Sequence, residues 1–398
     1  MNALNRRIVH GARIGALATA ATALAWIPGS ATAAELVVGV TAALTGPIAA
    51  TYAPVVEAMR AYVDHVNARS GVDRRQIRLV VLDDSGQASK AAANAKRLVT
   101  QENVALMVNS SLSSTYEPML AATERGRVPV WFAGSVCPKE TFPPKPAPLQ
   151  FCSTAFGAAY DSQMALSFIK KAAEGPVKLG FSAMAIPVSR NEVSYAAEEA
   201  AKMGMATTEQ QIIPPPTADY TPFATKLKDD GANWVYSWAP WVTQIRTLES
   251  LRKLGWDGDL IAYAHINAED ELNRVKDGRF YVFGANALFQ DDLPVQAELR
   301  AITERANLRY PVTLLTEGFI GGMVLDAIAG KVGGQPSRES VTAAMNDLEV
   351  DVKGLRGAPI RWTADNHFRT SQSYRVYRFD PAKGAIERVQ DWTEFKVR

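Results

Sequence analysis

Cysteine and histidine are scarce in this 398-residue chain, which holds two of the first and four of the second. Setting aside His10 near the N-terminus, the histidines are His65, His265 and His367, and none has metal-ligand spacing. No Gly-x-Ser-x-Gly elbow occurs, and no phosphate loop: Gly330-Lys331 runs into Val332 and lacks the upstream glycine. There is no block of like charge, no low-complexity tract and no repeat at a solenoid period. Formal charge is only +2, and it falls by three when Arg6, Arg7 and Arg13 are set aside. A chain so near neutrality lacks the electrostatic footprint of a nucleic-acid binder and offers no polybasic segment to a membrane surface. These absences point away from catalytic residues, a metal site or a cofactor, and toward a protein that binds rather than transforms.

One apolar run stands out, Ile14 to Ile27, behind the three arginines and ahead of the small-residue tract Pro28-Gly29-Ser30-Ala31-Thr32-Ala33-Ala34. Residues 1–34 read as an export signal cleaved after Ala33 or Ala34. The run is too short and too alanine-rich for a membrane span. No cysteine lies near the cut to carry a lipid. The mature protein is therefore expected in the periplasm. Cys137 and Cys152 flank a proline-rich loop. In that oxidising compartment they could pair, which would contribute roughly 3 kcal/mol, or remain two buried thiols.

Apolar content of 47% is ample for a core, and the length suggests two lobes. Short apolar runs read as strands at 36–40, 77–82, 104–108 and 128–132. They alternate with segments of helical periodicity from Ala53, from Ala88 to Gln101 and from Ser113-Ser114 to about Arg125. The pattern restarts with strands at 177–181, 211–213, 234–237 and 260–263, and helices at 192–203, 223–229 and 243–254. Tyr281 to Phe283 follows, then helices 295–308 and 317–329. Ile360 to Trp362, Ser373 to Asp380 and Trp392 to Val397 close the chain as antiparallel strands. Strands alternating with helices imply two doubly wound parallel-sheet α/β lobes, in which ligands bind beyond the carboxyl ends of the strands.

Those ends are rich in small and hydroxylated residues: Leu44-Thr45-Gly46-Pro47, Asn109 to Ser114 and Ala133-Gly134-Ser135-Val136-Cys137. Ser113 and Ser114 sit where a helix begins, a place that either caps the helix or attracts a carboxylate through free N–H groups. Asp83-Asp84 reads as a chain-bending cap, and His65 as a surface residue. Trp131 and Trp234 read as core. Trp238 and Trp241, beyond a strand end, could serve the core or a pocket.

The run Leu44 to Pro47, Asn67 near a helix end, Leu82-Asp83-Asp84-Ser85, Ala88 to Val99, Ser113-Ser114, Trp234-Val235-Tyr236 and Leu251 to Gly255 together resemble the Leu/Ile/Val-binding protein family. That family comprises extracytoplasmic receptors of ABC importers with the type I periplasmic-binding-protein fold, and the resemblance covers nearly all of the mature chain. It implies lobes of 35–154 plus 284–359 and 155–283 plus 360–398. Three hinge crossings are implied near Phe151 to Ala155, Phe283 to Ala287 and Ala358 to Trp362. Carried over residue by residue, it places a ligand carboxylate on Ser113 and on Ser135 to Cys137. A first-loop aromatic falls near Tyr52, an aromatic wall on Pro240 or Trp241, and a second-lobe segment on Pro187 to Arg190. Ser114, Arg190 and His265 complete the candidate contacts.

One departure matters: where amino-acid binders carry an acid after the fourth strand of the second lobe, this chain has Tyr263-Ala264-His265-Ile266, and Glu269 and Asp270 come later. An ammonium buried without a counter-charge is costly. The expected ligand is thus a small carboxylic acid, aromatic or branched, facing Trp238, Trp241, Tyr263 and Phe156, with branched-chain amino acids the family's default. The expected partners are an inner-membrane permease and its ATPase, with the receptor a monomer. A periplasmic sensor handing ligand status to a membrane signalling protein is the alternative, and an exported enzyme the third reading.

Overall fold

The computed structural model describes residues 34–69, 75–155, 157, 159–263, 268–310 and 312–397. The expected signal segment, Phe156 and His265 lie outside them. The first sheet has strands β1 (Leu36–Ala42), β2 (Ile77–Asp83), β3 (Leu106–Ser110), β4 (Val130–Phe132) and β5 (Gln150–Cys152), all parallel, in the order β2-β1-β3-β4-β5. The second sheet begins with β6 (Lys178–Met184), β7 (Ala206–Ile213), β8 (Trp234–Trp238), β9 (Asp259–Tyr263) and β10 (Phe280–Gly284), parallel in the same pattern, β7-β6-β8-β9-β10. A small ribbon, β11 (Asp347–Val350) with β12 (Ile360–Thr363), adjoins the first lobe. Strands β13 (Ser371–Asp380) and β14 (Ala385–Lys396) extend the second sheet antiparallel at β10.

Helices α1 (Ala49–Arg69), α2 (Ala88–Thr100) and α3 (Tyr116–Gly126) wind the first lobe, and α4 (Tyr160–Ala172), α5 (Pro187–Lys202), α6 (Thr221–Asp229), α7 (Trp241–Lys253) and α8 (Ala268–Val275) the second. The chain then returns through α9 (Pro294–Arg305), α10 (Thr316–Lys331) and α11 (Arg338–Met345). Helix α10 is apolar almost all round and correspondingly buried. Gly318 permits its approach to α1, since a Cβ there would lie 2.2 Å from the Val55 carbonyl oxygen. No helix among the described residues is long and apolar enough to cross a membrane.

Several boundaries differ from expectation for local reasons. Helix α5 starts at Pro187, five residues early, because proline suits the first helical turn. Helix α7 starts at Trp241 rather than Thr243, again behind a proline, Pro240. Ser113 does not cap α3: it opens a single 3-10 turn, Ser113–Thr115, that runs into α3 at Tyr116. The third crossing also moves. Strand β12 pairs with β11, Trp362 packs among first-lobe side chains, and its Nε1 donates to Cys152 O at 3.0 Å. His367 stacks on Phe151, with ring centroids 3.9 Å apart. Residues 360–368 therefore pack with the first lobe, and the chain enters the second sheet at Ser371 rather than at 360.

The crossings are fastened by a buried cluster. Glu317 on α10 accepts from Ala155 N at 3.2 Å, Asn286 Nδ2 at 2.7 Å and Arg356 Nη2 at 2.7 Å. Arg356 also donates to Asn286 Oδ1 at 2.9 Å and to the Ser153 carbonyl. Gln372 Nε2 donates to Ala155 O at 2.8 Å.

Candidate functional site

Each lobe has its topological switch point beside its first strand: between β1 and β3 in one, β6 and β8 in the other. Ligand clefts of open parallel sheets form there, beyond the strands' carboxyl ends. The two switch points face one another. Ala43, Ile48, Tyr52 and Leu112 from the first lobe pack with Met184, Ile186 and Ala239 from the second, so the lobes meet along an apolar seam.

On the first-lobe wall most polar side chains are consumed by one another. Asp84 accepts from Thr41 Oγ1 at 2.9 Å, Ser111 Oγ at 2.7 Å and Gly86 N at 2.8 Å. Ser135 Oγ lies 2.7 Å from Asn109 Oδ1 and accepts from Ser111 N at 3.0 Å. The Tyr116 hydroxyl donates to Val136 O at 2.7 Å. Asp83 gathers the preceding loop by accepting from Leu44 N at 2.9 Å and from the Thr45 hydroxyl. Burial resists ionisation of Asp83, but its hydrogen bonds from Thr45, Ser85 and Leu44 outweigh that and hold its carboxyl at about 2. The exceptions on this wall are Ser110 and Ser113, whose buried Oγ atoms have no hydrogen-bond partner among the described residues, and of the two only Ser113 borders the cleft spaces.

The second-lobe wall carries two buried acids and an aromatic surface. Trp238 Nε1 donates to Asp161 Oδ2 at 3.0 Å, and the Tyr374 hydroxyl and Gly157 N donate to Asp161 Oδ1. Glu192 accepts from Ser162 N at 3.1 Å, Ser162 Oγ at 2.5 Å and Ala159 N at 2.9 Å. Burial, and next the Glu192 charge, push Asp161 up to about 7; burial also raises Glu192. Ser189, in the first turn of α5, is fully buried, and its Oγ also lacks a partner among the described residues.

Two connected spaces lie between the walls. A pocket of about 20 Å³ is bounded by Tyr52, Ser111 and Ser113 on one side and Ile186, Ser189 and Ala239 on the other. A chamber of about 400 Å³ opens beside it, between Tyr116, Val136 and Cys137 and Pro187, Val188, Glu192 and Tyr195. Ser113, Val136, Val188 and Trp238 line both. Cys137 is joined to Cys152 with a Cα separation of 5.5 Å, which tethers the Pro138–Glu140 rim of the chamber.

Of the residues expected from sequence to contact a ligand, the structure brings Tyr52, Ser113 and Cys137 to these spaces. Four others need correction. Ser114 is exposed and borders neither space, because the 3-10 turn rotates it outward. Ser135 is buried and spent on Asn109 and Ser111. Arg190 is exposed and borders neither space. Trp241, as the first residue of a helix rather than a loop, packs against Phe280 and Ile245 and borders a separate hollow with Arg246 and Glu249. His65 is also not a free surface side chain, since it sits between Glu298 and Arg305.

Sequence reasoning missed Tyr116 and Glu192; Val188 and Ser189 fall inside the Pro187 to Arg190 segment that the resemblance implied, but only Arg190 was singled out there. Ser189 was findable: once Pro187 is taken as a helix start, its hydroxyl falls in the first turn. Trp238 carried a signal too, since strand alternation puts it on the face of Trp234 and Tyr236. Nothing local marks Asp161 or Glu192.

Two doubly wound lobes that close an apolar seam over a pocket at facing switch points define a two-lobed solute-binding receptor. The chain belongs to the periplasmic binding protein family, whose model matches residues 35–385. The resemblance to the Leu/Ile/Val-binding proteins thus holds at the level of family and type I fold. Comparison with curated proteins by sequence finds no match. Among solved structures, it is similar to a branched-chain amino acid ABC transporter protein from Thermus thermophilus with bound valine, at 15% identity and TM-score 0.78, covering 91% of this chain and 97% of that one. It is also similar to a solute-binding protein from Rhodopseudomonas palustris BisB5 in complex with 3,4-dihydroxybenzoic acid, at 17% identity and TM-score 0.76, covering 91% and 98%. A fatty acid ABC transporter substrate-binding protein from Thermomonospora curvata matches at 17% identity and TM-score 0.76, covering 92% and 95%. At such identities the likeness establishes the fold. Members of the family are binding receptors rather than enzymes and work outside the cytoplasm.

Proposed function

We propose that this protein is the periplasmic solute receptor of an ABC importer of the branched-chain amino acid type, and that it closes its two lobes on a small carboxylate. The observation that carries this reading is the pair of buried hydroxyls without a partner among the described residues, Ser113 Oγ and Ser189 Oγ. They come from opposite lobes and border one pocket. Buried polar atoms are almost always hydrogen-bonded, so two that are not, across a cleft, suit a ligand that accepts from both. Ser113 opens a 3-10 turn and Ser189 lies in the first turn of α5. At each place the leading backbone N–H groups have no acceptor within the helix, and the field favours an anion.

Ligand binds one lobe first, and closure brings in the second. The closed form is then presented to a membrane permease whose ATPase supplies the energy. The test is a thermal-shift and calorimetric screen of residues 35–398 against aliphatic, branched and aromatic acids and their α-amino counterparts. A ligand that binds only the folded state must raise the melting temperature. Intact recovery of the bound acid is expected; its turnover, or no shift from any acid or amino acid, overturns the reading.

A further inference from the structure

The two spaces of the cleft differ in size and chemistry. The pocket between Ser113 and Ser189, about 20 Å³, has room for one or two oxygen-sized atoms. The adjoining chamber, about 400 Å³, is some twenty times larger. The side chain of leucine or valine would fill only a small part of it. Tyr116, Val136, Val188 and Trp238 give the chamber an apolar lining, and Pro138 lies at its rim. That edge does not drift, because the Cys137–Cys152 bond ties it to β5. Nor does Trp238 turn freely, since its indole N–H is held by Asp161.

The buried charged group of the chamber is Glu192, 5% exposed, with Ser162 and Ala159 donating to its carboxylate, while Lys139 and Glu140 stand exposed at its open rim. In a wall of low dielectric, an anion repels another strongly. A ligand carboxylate is therefore disfavoured against the chamber's inner wall relative to the hydroxyl-lined pocket, and a second carboxylate on the same ligand meets a cation only at the exposed rim, at Lys139.

Resting on the receptor reading above, we infer that the ligand is a monocarboxylic acid with an uncharged apolar body of at least one aromatic ring. Its carboxylate is held between Ser113 and Ser189, and its body lies along Trp238 in the chamber. Trp238 and Val136 set the size of that body, Glu192 rejects diacids, and Asp161 is a positioning residue acting through Trp238.

The experiment is calorimetric titration of residues 35–398 with isovalerate, leucine, phenylacetate, 2-naphthoate, 4-methylbenzoate and terephthalate. The ring-bearing monoacids should bind at least tenfold more tightly than isovalerate or leucine, and terephthalate at least tenfold more weakly than 4-methylbenzoate. Val136→Trp should weaken the ring acids tenfold or more while leaving isovalerate within threefold. Ser189→Ala should weaken all the acids alike. Circular dichroism confirms that each variant folds, and Trp238→Phe is the second variant should Val136→Trp fail to fold. Tightest binding of leucine or isovalerate, or equal weakening of short and ring acids by Val136→Trp, overturns the inference and leaves the receptor reading intact. Silence from every acid and amino acid overturns both.

Discussion

The two walls of the cleft are built on the same plan and filled with opposite chemistry. Both arise where a 2-1-3 strand order reverses, and both present a helix start to the gap. In the first lobe the strand ends are small and hydroxylated, and Asp84, Ser111, Asn109 and Ser135 satisfy one another. In the second, β8 and β9 end in Trp238 and Tyr263, Asp161 lies buried behind Trp238, and Glu192 is buried at the chamber's wall. A shared backbone thus fixes where a ligand sits. Side-chain partners decide which wall is a braced polar surface and which is an aromatic one.

The largest expected effect falls where the walls are joined. Arg356→Ala would strand the Glu317 carboxylate without its cation at a site only a few per cent exposed. A buried charge left alone costs about 3–5 kcal/mol, read as a lowered urea midpoint; a loss under 1 kcal/mol would mean that the pair does not hold the crossings. Next comes the edge of the first wall. The Cys137–Cys152 loop has a sequence separation of 15. Its double serine variant should lose about 3 kcal/mol in the same assay.

The two walls should then part in their response to pH. Burial, followed by Glu192, raises Asp161 to about 7 in the folded chain. Between about pH 4 and 7 the native state thus holds protons that the unfolded chain has released. Stability from this group falls as pH rises through that window. Glu192 and Asp84 are also raised by burial and act in the same sense. Asp83, held at about 2 once its hydrogen bonds outweigh burial, acts oppositely. Its contribution is present above pH 4 and is lost as pH falls toward 2. Urea midpoints across pH 3 to 8 should show Asp161→Asn flattening the neutral slope and Asp83→Asn flattening the acid one. If both variants track the parent throughout, the walls do not differ electrostatically in this way. The smallest effect is expected at Arg190→Ala: this side chain is exposed, so stability should change by no more than about 0.5 kcal/mol. Ligand affinity should stay within twofold by calorimetry; a larger loss would return Arg190 to the site.

Much of the frame was legible without coordinates. Apolar runs such as Leu36 to Val40 and Leu260 to Tyr263 sit within one or two residues of their strands. Helical periodicity located α2, and an apolar run of helical length located α10. The site was legible only in part. Ser113, Tyr52 and Cys137 follow strand ends closely enough to be placed, but Ser114, one residue on, faces away. Arg190 and Trp241 failed for a related reason: both were taken as loop residues, and both belong to helices whose starts proline moves forward.

What the sequence by itself determined is the alternation of strands and helices, hence two doubly wound lobes and a cleft beyond their strand ends. Period and turn chemistry are local properties, and they act on neighbouring residues whatever the rest of the chain does. What only the tertiary structure decided is which side chains meet in that cleft. Tyr374 reaches Asp161 across 213 residues of chain, and Trp238 across 77. Arg356 reaches Glu317 across 39 residues, once α10, α11 and β11 have packed into the first lobe. Such contacts depend on burial and on which hydrogen-bond partners remain once the sheets are packed, and a pattern confined to a few consecutive residues carries no record of either.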